Sequence, residues 1–255
     1  METRRIVVGQ GDAARDIAVA QRSGAHPGLF WLGGFKSEMT GTKAAALDAL
    51  GAEMGVGVTR FDYSGHGLSG GSFLDGTISR WLEEALAVFG LTTGPQIVVG
   101  SSMGGWMALL LNRALREAGG SRVKALALVA PAIDMTEDLM RATFTPAELH
   151  DLHATGRVER PSAYSDEPHV LTERLIVDGS RHVLFGHGSI VVGCPVAILQ
   201  GGQDAAVPLT HALKLLSHLT LDPVSFTLVP DGDHRLSRPE DLERLKETVR
   251  RLVAE

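Results

Sequence analysis

The chain reads as an α/β protein, with a mostly parallel eight-stranded sheet, helices on both faces and a small helical cap inserted after the sixth strand. Three observations predict this. Short apolar, β-branched runs alternate with helix-length amphipathic stretches, which is the pattern of a parallel sheet. Several of those runs stop at Gly-rich or polar turns, such as Gly33-Gly34, Asp62-Tyr63-Ser64-Gly65 and Gly201-Gly202. The alternation then breaks over residues 132–191, a stretch too long for a plain loop. A chain of 255 residues is long enough for one large core, so a single domain over 1–255 is expected.

In chain order, residues 4–9 and 16–21 make two short strands around a Gly-Asp turn, an antiparallel hairpin at one sheet edge. Residues 28–32 are continuously apolar, as befits a strand covered on both faces. Thr42–Met54 carries alanines and leucines at helical spacing, and Val56–Phe61 is the fourth strand. Ile78–Phe89 sets Trp81, Leu82, Ala85, Leu86 and Phe89 against Glu83 and Glu84, an amphipathic helix. A fifth strand from Gln96 runs to Gly100, and a helix follows over Met103–Glu117. The sixth strand covers 123–130 and stops at Pro131. Within the insertion, helical patterns fall near 146–154 and 171–177. Phe144, Leu149, Leu152, Leu184 and Phe185 there are either a pocket wall or the cap's own small core. Residues 195–200 resume the sheet, 209–219 form a helix, Val224–Val229 is the last strand, and 237–253 is a charged amphipathic helix.

Composition narrows the function. The formal charge is -6, which leaves no basic footprint for nucleic acid. Cys194 is the single cysteine, so no intramolecular disulfide forms, and its place before Pro195 in an apolar run suggests a buried structural thiol. No Cys/His cluster has metal-site spacing. The first residues lack the apolar core of a signal peptide, and no apolar run reaches membrane-spanning length. The expected location is therefore the cytoplasm.

The chemistry centres on Gly100-Ser101-Ser102-Met103-Gly104, a Gly-x-Ser-x-Gly sequence between a strand and a helix. That context is the form of a nucleophile elbow, whose strained turn lifts the serine Oγ out of the backbone. Gly100 and Gly104 let strand and helix pass close to the turn. Serine is a poor nucleophile near neutral pH and needs a base within hydrogen-bond reach. His234, in the polar loop after the last strand, is the expected base, because ligand sites in open α/β sheets gather at strand C-termini. The acid that orients it should lie in another such loop, and Asp204 fits. Asp62 is the competitor; its neighbours suggest instead that it orders its own turn by accepting backbone amides. Asp231 and Asp233 suit capping or turn roles. The oxyanion of acyl transfer needs two preorganised donors, expected from the Met103 amide and the Phe35 amide, with Gly34 as the second choice for the latter. His66, between Gly65 and Gly67, reads as structural. His187 either lines the pocket or caps a helix.

Three runs carry a closer likeness: Leu32-Gly33-Gly34-Phe35 followed by 39–44, then Arg60-Phe61-Asp62-Tyr63-Ser64-Gly65, then 94–106. Pro161-Ser162-Ala163-Tyr164-Ser165, Gly193-Cys194-Pro195 and Asp233-His234-Arg235 continue it. With these the chain resembles the α/β-hydrolase superfamily over nearly its whole length, and within it a subfamily of palmitoyl-protein thioesterases and acyl-glucuronide esterases. The resemblance implies the α/β-hydrolase fold and a cofactor-free, metal-free serine hydrolase acting on acyl esters or thioesters, small molecules or acylated proteins. It implies Ser102, Asp204 and His234 as nucleophile, acid and base. The alternatives are a peptidase or lyase on the same fold, or a non-catalytic binding protein.

Overall fold

The computed structural model describes residues 2–161 and 168–255. Eight strands form one sheet: β1 (Glu2–Val8), β2 (Arg15–Arg22), β3 (Ala25–Leu32), β4 (Val56–Phe61), β5 (Gln96–Ser101), β6 (Val123–Val129), β9 (Val196–Gly201) and β10 (Val224–Val229). Their order is β1-β2-β4-β3-β5-β6-β9-β10. The first hairpin pairs antiparallel with itself and with β4, and every later neighbour is parallel. Among the described residues seven α-helices surround it: α1 (Thr42–Met54), α2 (Ile78–Phe89), α3 (Met103–Glu117), α4 (Pro146–Thr155), α5 (Glu173–Gly179), α6 (Leu209–His218) and α7 (Pro239–Ala254). This is the α/β-hydrolase fold. No helix among the described residues is long and apolar enough to cross a membrane.

Side-chain alternation along the strands supplies two cores. Leu29 and Trp31 of β3, Ile97 and Val99 of β5, and Ala197 and Leu199 of β9 pack with Leu47 and Leu50 of α1 and Leu245 and Val249 of α7. The intervening Phe30, Leu32, Val98 and Ile198 pack on the other face with Trp81 of α2, Trp106 of α3 and Leu215 of α6. Each such aliphatic side chain contributes roughly 1.5–3 kcal/mol by leaving water. The double-sided covering explains the near-continuous apolar runs.

The insertion between β6 and β9 corrects one expectation. Its first helical pattern is α4, closed by a capping box in which Thr145 and Glu148 exchange bonds. The second pattern, expected at 171–177, divides: His169–Thr172 is strand β8, paired antiparallel with β7 (Arg157–Arg160), and α5 starts only at Glu173. The insertion is thus a short hairpin plus helices, not helices alone. Thr172 ends the strand by capping α5, its hydroxyl accepting the Leu175 amide. Leu152, Val158 and Ile176 form a small separate core with Phe144 packed on it, whereas Leu184 and Phe185 join the main core. Residues 162–165 of the run cited above lie outside the described residues.

One ion pair, Arg15 with Glu84, is buried. Arg15 donates to Glu84, to Glu83 at 2.6 Å and to the carbonyl of Arg80, and Glu84, itself fully buried, also accepts the Ser64 amide at 2.8 Å. Removing one member of a buried pair strands the other charge. Arg15→Leu is expected to destabilise the protein by about 3–5 kcal/mol, read as a lower urea midpoint. A change below about 1 kcal/mol would show that Glu84 finds other compensation.

Candidate active site

Ser102, Asp204 and His234 sit together at one rim, beyond the C-terminal ends of the parallel strands. Ser102 occupies the turn between β5 and α3, with φ 55° and ψ -120°. A side-chain-bearing residue holds such a backbone only when its surroundings over-determine it. Here the Ser102 amide donates to Val129 O at 2.9 Å, and its carbonyl accepts from Gly105 (2.9 Å) and Ala132 (3.1 Å). Two glycines make room. A Cβ on Gly100 would overlap the Gly104 carbonyl, and one on Gly104 would overlap the carbonyl of Leu32 in β3.

The imidazole of His234, in the loop after β10, lies with Nε2 3.1 Å from Ser102 Oγ and Nδ1 2.8 Å from Asp204 Oδ2. Asp204 follows β9, and its side chain is 0% exposed. Its other oxygen accepts the amides of Ala206 (2.9 Å) and Val207 (2.7 Å), and Gln200 approaches Oδ2 at 3.3 Å. A carboxylate held by this many donors is fixed in direction. Because it is acceptor-only, His234 must carry its proton on Nδ1, which leaves Nε2 free to accept from the Ser102 hydroxyl. Three groups far apart in sequence therefore form one continuous hydrogen-bonded line.

Asp62 is not part of that line. Its oxygens accept the Met39 amide (2.6 Å) and the Leu68 amide (2.8 Å), so it braces its own turn and the start of the α1 segment. Asp233 accepts the Leu236 amide, and Asp231 pairs with Arg238. Asp233 thus takes the turn role expected of it, whereas Asp231 makes an ion pair.

Gly34 lies against the serine: a Cβ added there would sit 3.2 Å from Ser102 Cβ. Residues 33–36 thus curl over the elbow from the end of β3. The Met103 N–H is the first of α3, where backbone donors have no partner within the helix and the dipole favours negative charge. Phe35 packs its ring on Phe73 (centroids 4.9 Å apart) and on His169 of β8 (6.2 Å). Lys36 reaches into the insertion, its ammonium donating to Pro168 O at 3.0 Å.

Two features carried no functional signal in the sequence. Lys43, at the start of α1, donates to the Arg235 carbonyl next to His234 and lies 3.4 Å from Ser237 Oγ. Burial, helped by Arg235, pushes its ammonium down to about 8. It ties α1 to the loop that carries the imidazole. Gln200 and the amides of 206 and 207 are the other, since backbone donors leave no trace in residue type. His187 lines a cavity of about 280 Å³ with Leu109, Asn112, Ile190 and Val192, on the flank of α3, and none of Ser102, Asp204 or His234 lines it. Cys194 is half-buried, and burial pushes its thiol up to about 12, so it is no nucleophile.

The fold and the rim geometry together define a hydrolase of the α/β class. A family model described as serine aminopeptidase, S33, matches residues 33–175, and the chain belongs to that α/β-hydrolase family. Over 240 residues it is 32% identical to human palmitoyl-protein thioesterase ABHD10, mitochondrial, covering 93% of this chain and 76% of that protein. A putative hydrolase from Agrobacterium vitis S4 superposes with a TM-score of 0.96 at 50% identity, covering 99% of this chain and 98% of the other. Mouse α/β-hydrolase domain-containing protein 10 superposes with a TM-score of 0.85 at 28% identity, covering 98% of both chains.

Proposed function

We propose that the protein is a serine hydrolase that cleaves carboxylic esters or thioesters through an acyl-enzyme on Ser102. The observation that carries this reading is the line Ser102 Oγ–His234–Asp204, with links of 3.1 and 2.8 Å. As Oγ attacks the acyl carbonyl, its proton passes to Nε2 of His234. Asp204 holds the imidazole's tautomer and stabilises the imidazolium. The carbonyl oxygen becomes an oxyanion and takes hydrogen bonds from the amides of Met103 and of Phe35, with Gly34 the alternative to Phe35. Collapse of the tetrahedral intermediate expels the alcohol or thiol, which leaves with the proton from Nε2. Water then attacks the acyl-enzyme by the same route in reverse, with His234 again taking the proton. No step calls on a metal or a cofactor.

The acyl class is supported by a relative that is named a palmitoyl-protein thioesterase. In this reading residues 1–255 are one domain, and the insertion at 132–191 forms one side of the acyl site. The family model's description supports a second reading, amide cleavage next to a free amino terminus by the same groups. Relative kcat/KM on a p-nitrophenyl ester, an acyl thioester and an aminoacyl p-nitroanilide separates the two. A fluorophosphonate probe tests the nucleophile. It is expected to add one phosphonyl group, located on Ser102 by peptide mass spectrometry. Absence of labelling would favour a binding protein on a hydrolase fold, and labelling elsewhere would remove Ser102 as the nucleophile.

A further inference from the structure

His66 sits in the turn after β4, at the same rim as the candidate site but outside its hydrogen-bonded line. It is 4% exposed and enclosed by the rings of Tyr63, Phe73 and Trp81, with centroids 5.9, 5.2 and 5.3 Å away. Nδ1 lies 3.1 Å from the Ser64 carbonyl. A carbonyl only accepts, so Nδ1 carries the proton. Nε2 is then an acceptor, and it takes the Lys36 backbone N–H at 3.1 Å. Both bonds demand the same neutral tautomer. Burial pushes the imidazole down to about 4; the Lys36 ammonium acts in the same direction, while the Ser64 carbonyl and Glu38 oppose it.

The residue held by this bond is itself unusual. Lys36 has φ 57°, a left-handed backbone that a side-chain-bearing residue adopts only when held there. Lys36 directly follows Phe35 and Gly34, whose amides face the serine side of the loop in the proposed mechanism. The bond to His66 therefore anchors the peptide next to the one that carries the Phe35 N–H. Phe35 also packs on Phe73 and Trp81, the rings that enclose His66, so the loop and the imidazole share one wall.

We infer that His66 is a positioning residue for the oxyanion loop: as a fixed neutral acceptor it holds the Lys36 amide, and through it aims the loop's donors at the oxygen that becomes negative. The inference rests on the reading of Ser102 as nucleophile.

Two substitutions test it, His66→Leu, which removes the acceptor at similar volume, and His66→Gln, whose amide oxygen can accept. Both are assayed on a p-nitrophenyl ester and against a trifluoromethyl ketone, whose adduct with serine carries an oxyanion. His66→Leu is expected to lower kcat by about 10- to 100-fold with KM within about threefold, since the loss falls on the transition state. Ketone affinity should fall in parallel, and His66→Gln should recover at least about fivefold of the loss. A kcat within threefold of wild type, or a glutamine variant no better than leucine, overturns the inference. The wild-type protein gives a second measurement that needs no variant to fold. Long-range proton–nitrogen spectra should show, besides His234, a second histidine with its proton on Nδ1, and this one should stay neutral between about pH 5 and 8. A proton on Nε2, or ordinary titration of every histidine, overturns it. Fluorophosphonate labelling of Ser102 should persist in both variants, and its absence in the wild type would fail the nucleophile reading instead.

Discussion

Ser102→Ala is expected to lower kcat/KM on a p-nitrophenyl ester by on the order of 10⁴-fold or more, while the circular dichroism spectrum and melting temperature stay within error of wild type. The substitution removes one oxygen. That oxygen makes a single described hydrogen bond, to His234 at 3.1 Å, and caps nothing in α3. The strained turn is held by backbone bonds to Val129, Gly105 and Ala132, all of which alanine keeps. The adjacent Ser101 cannot take over, because it lies inside β5 in register with Val129. Activity within tenfold of wild type in a folded variant would remove the acyl-enzyme mechanism.

The second large effect belongs to Asp204→Asn, for which a fall in kcat on the order of 10³–10⁴-fold is expected. The argument is one of donors and acceptors. Oδ1 of Asp204 accepts two backbone amides, from Ala206 and Val207. In asparagine the remaining oxygen must stay there, since an NH₂ group cannot face two N–H donors. The amide nitrogen then occupies the place of Oδ2 and donates to His234 Nδ1, which forces the ring proton onto Nε2. An imidazole in that tautomer cannot accept the serine proton. The same substitution at Asp62 leaves the imidazole untouched, because the Asp62 carboxylate serves Met39 and Leu68. The two variants assayed side by side decide the assignment: a loss below tenfold for Asp204→Asn, with a large loss at residue 62, would reverse it.

Much of this was legible in the residues. Strand and helix limits such as Thr42–Met54, Val56–Phe61, Ile78–Phe89 and Val224–Val229 follow from period and punctuation alone. Strand ends with polar loops located Ser102, Asp204 and His234, because a parallel sheet delivers all its C-terminal ends to one rim. The β7–β8 pair was not legible. Each strand has four residues, and only Val158 and Leu171 are buried, too few positions for alternation to show. Helical spacing over 171–177 absorbed the end of β8 for the same reason. The bond from His66 to the Lys36 amide was hidden differently. Its partner is a backbone group thirty residues away in sequence, and only the folded chain pairs an imidazole with it.

The contact of Lys36 with Pro168 O has an evolutionary corollary. The reacting groups sit in loops rooted on the sheet, whereas residues 132–191 form an inserted module whose Leu184 and Phe185 pack into the main core. Transplanting that module from a relative leaves the sheet-borne loops their backbone anchors, yet it severs or preserves this ammonium-to-carbonyl thread. Chimeras that recreate an acceptor opposite position 36 should keep turnover more often than those that do not.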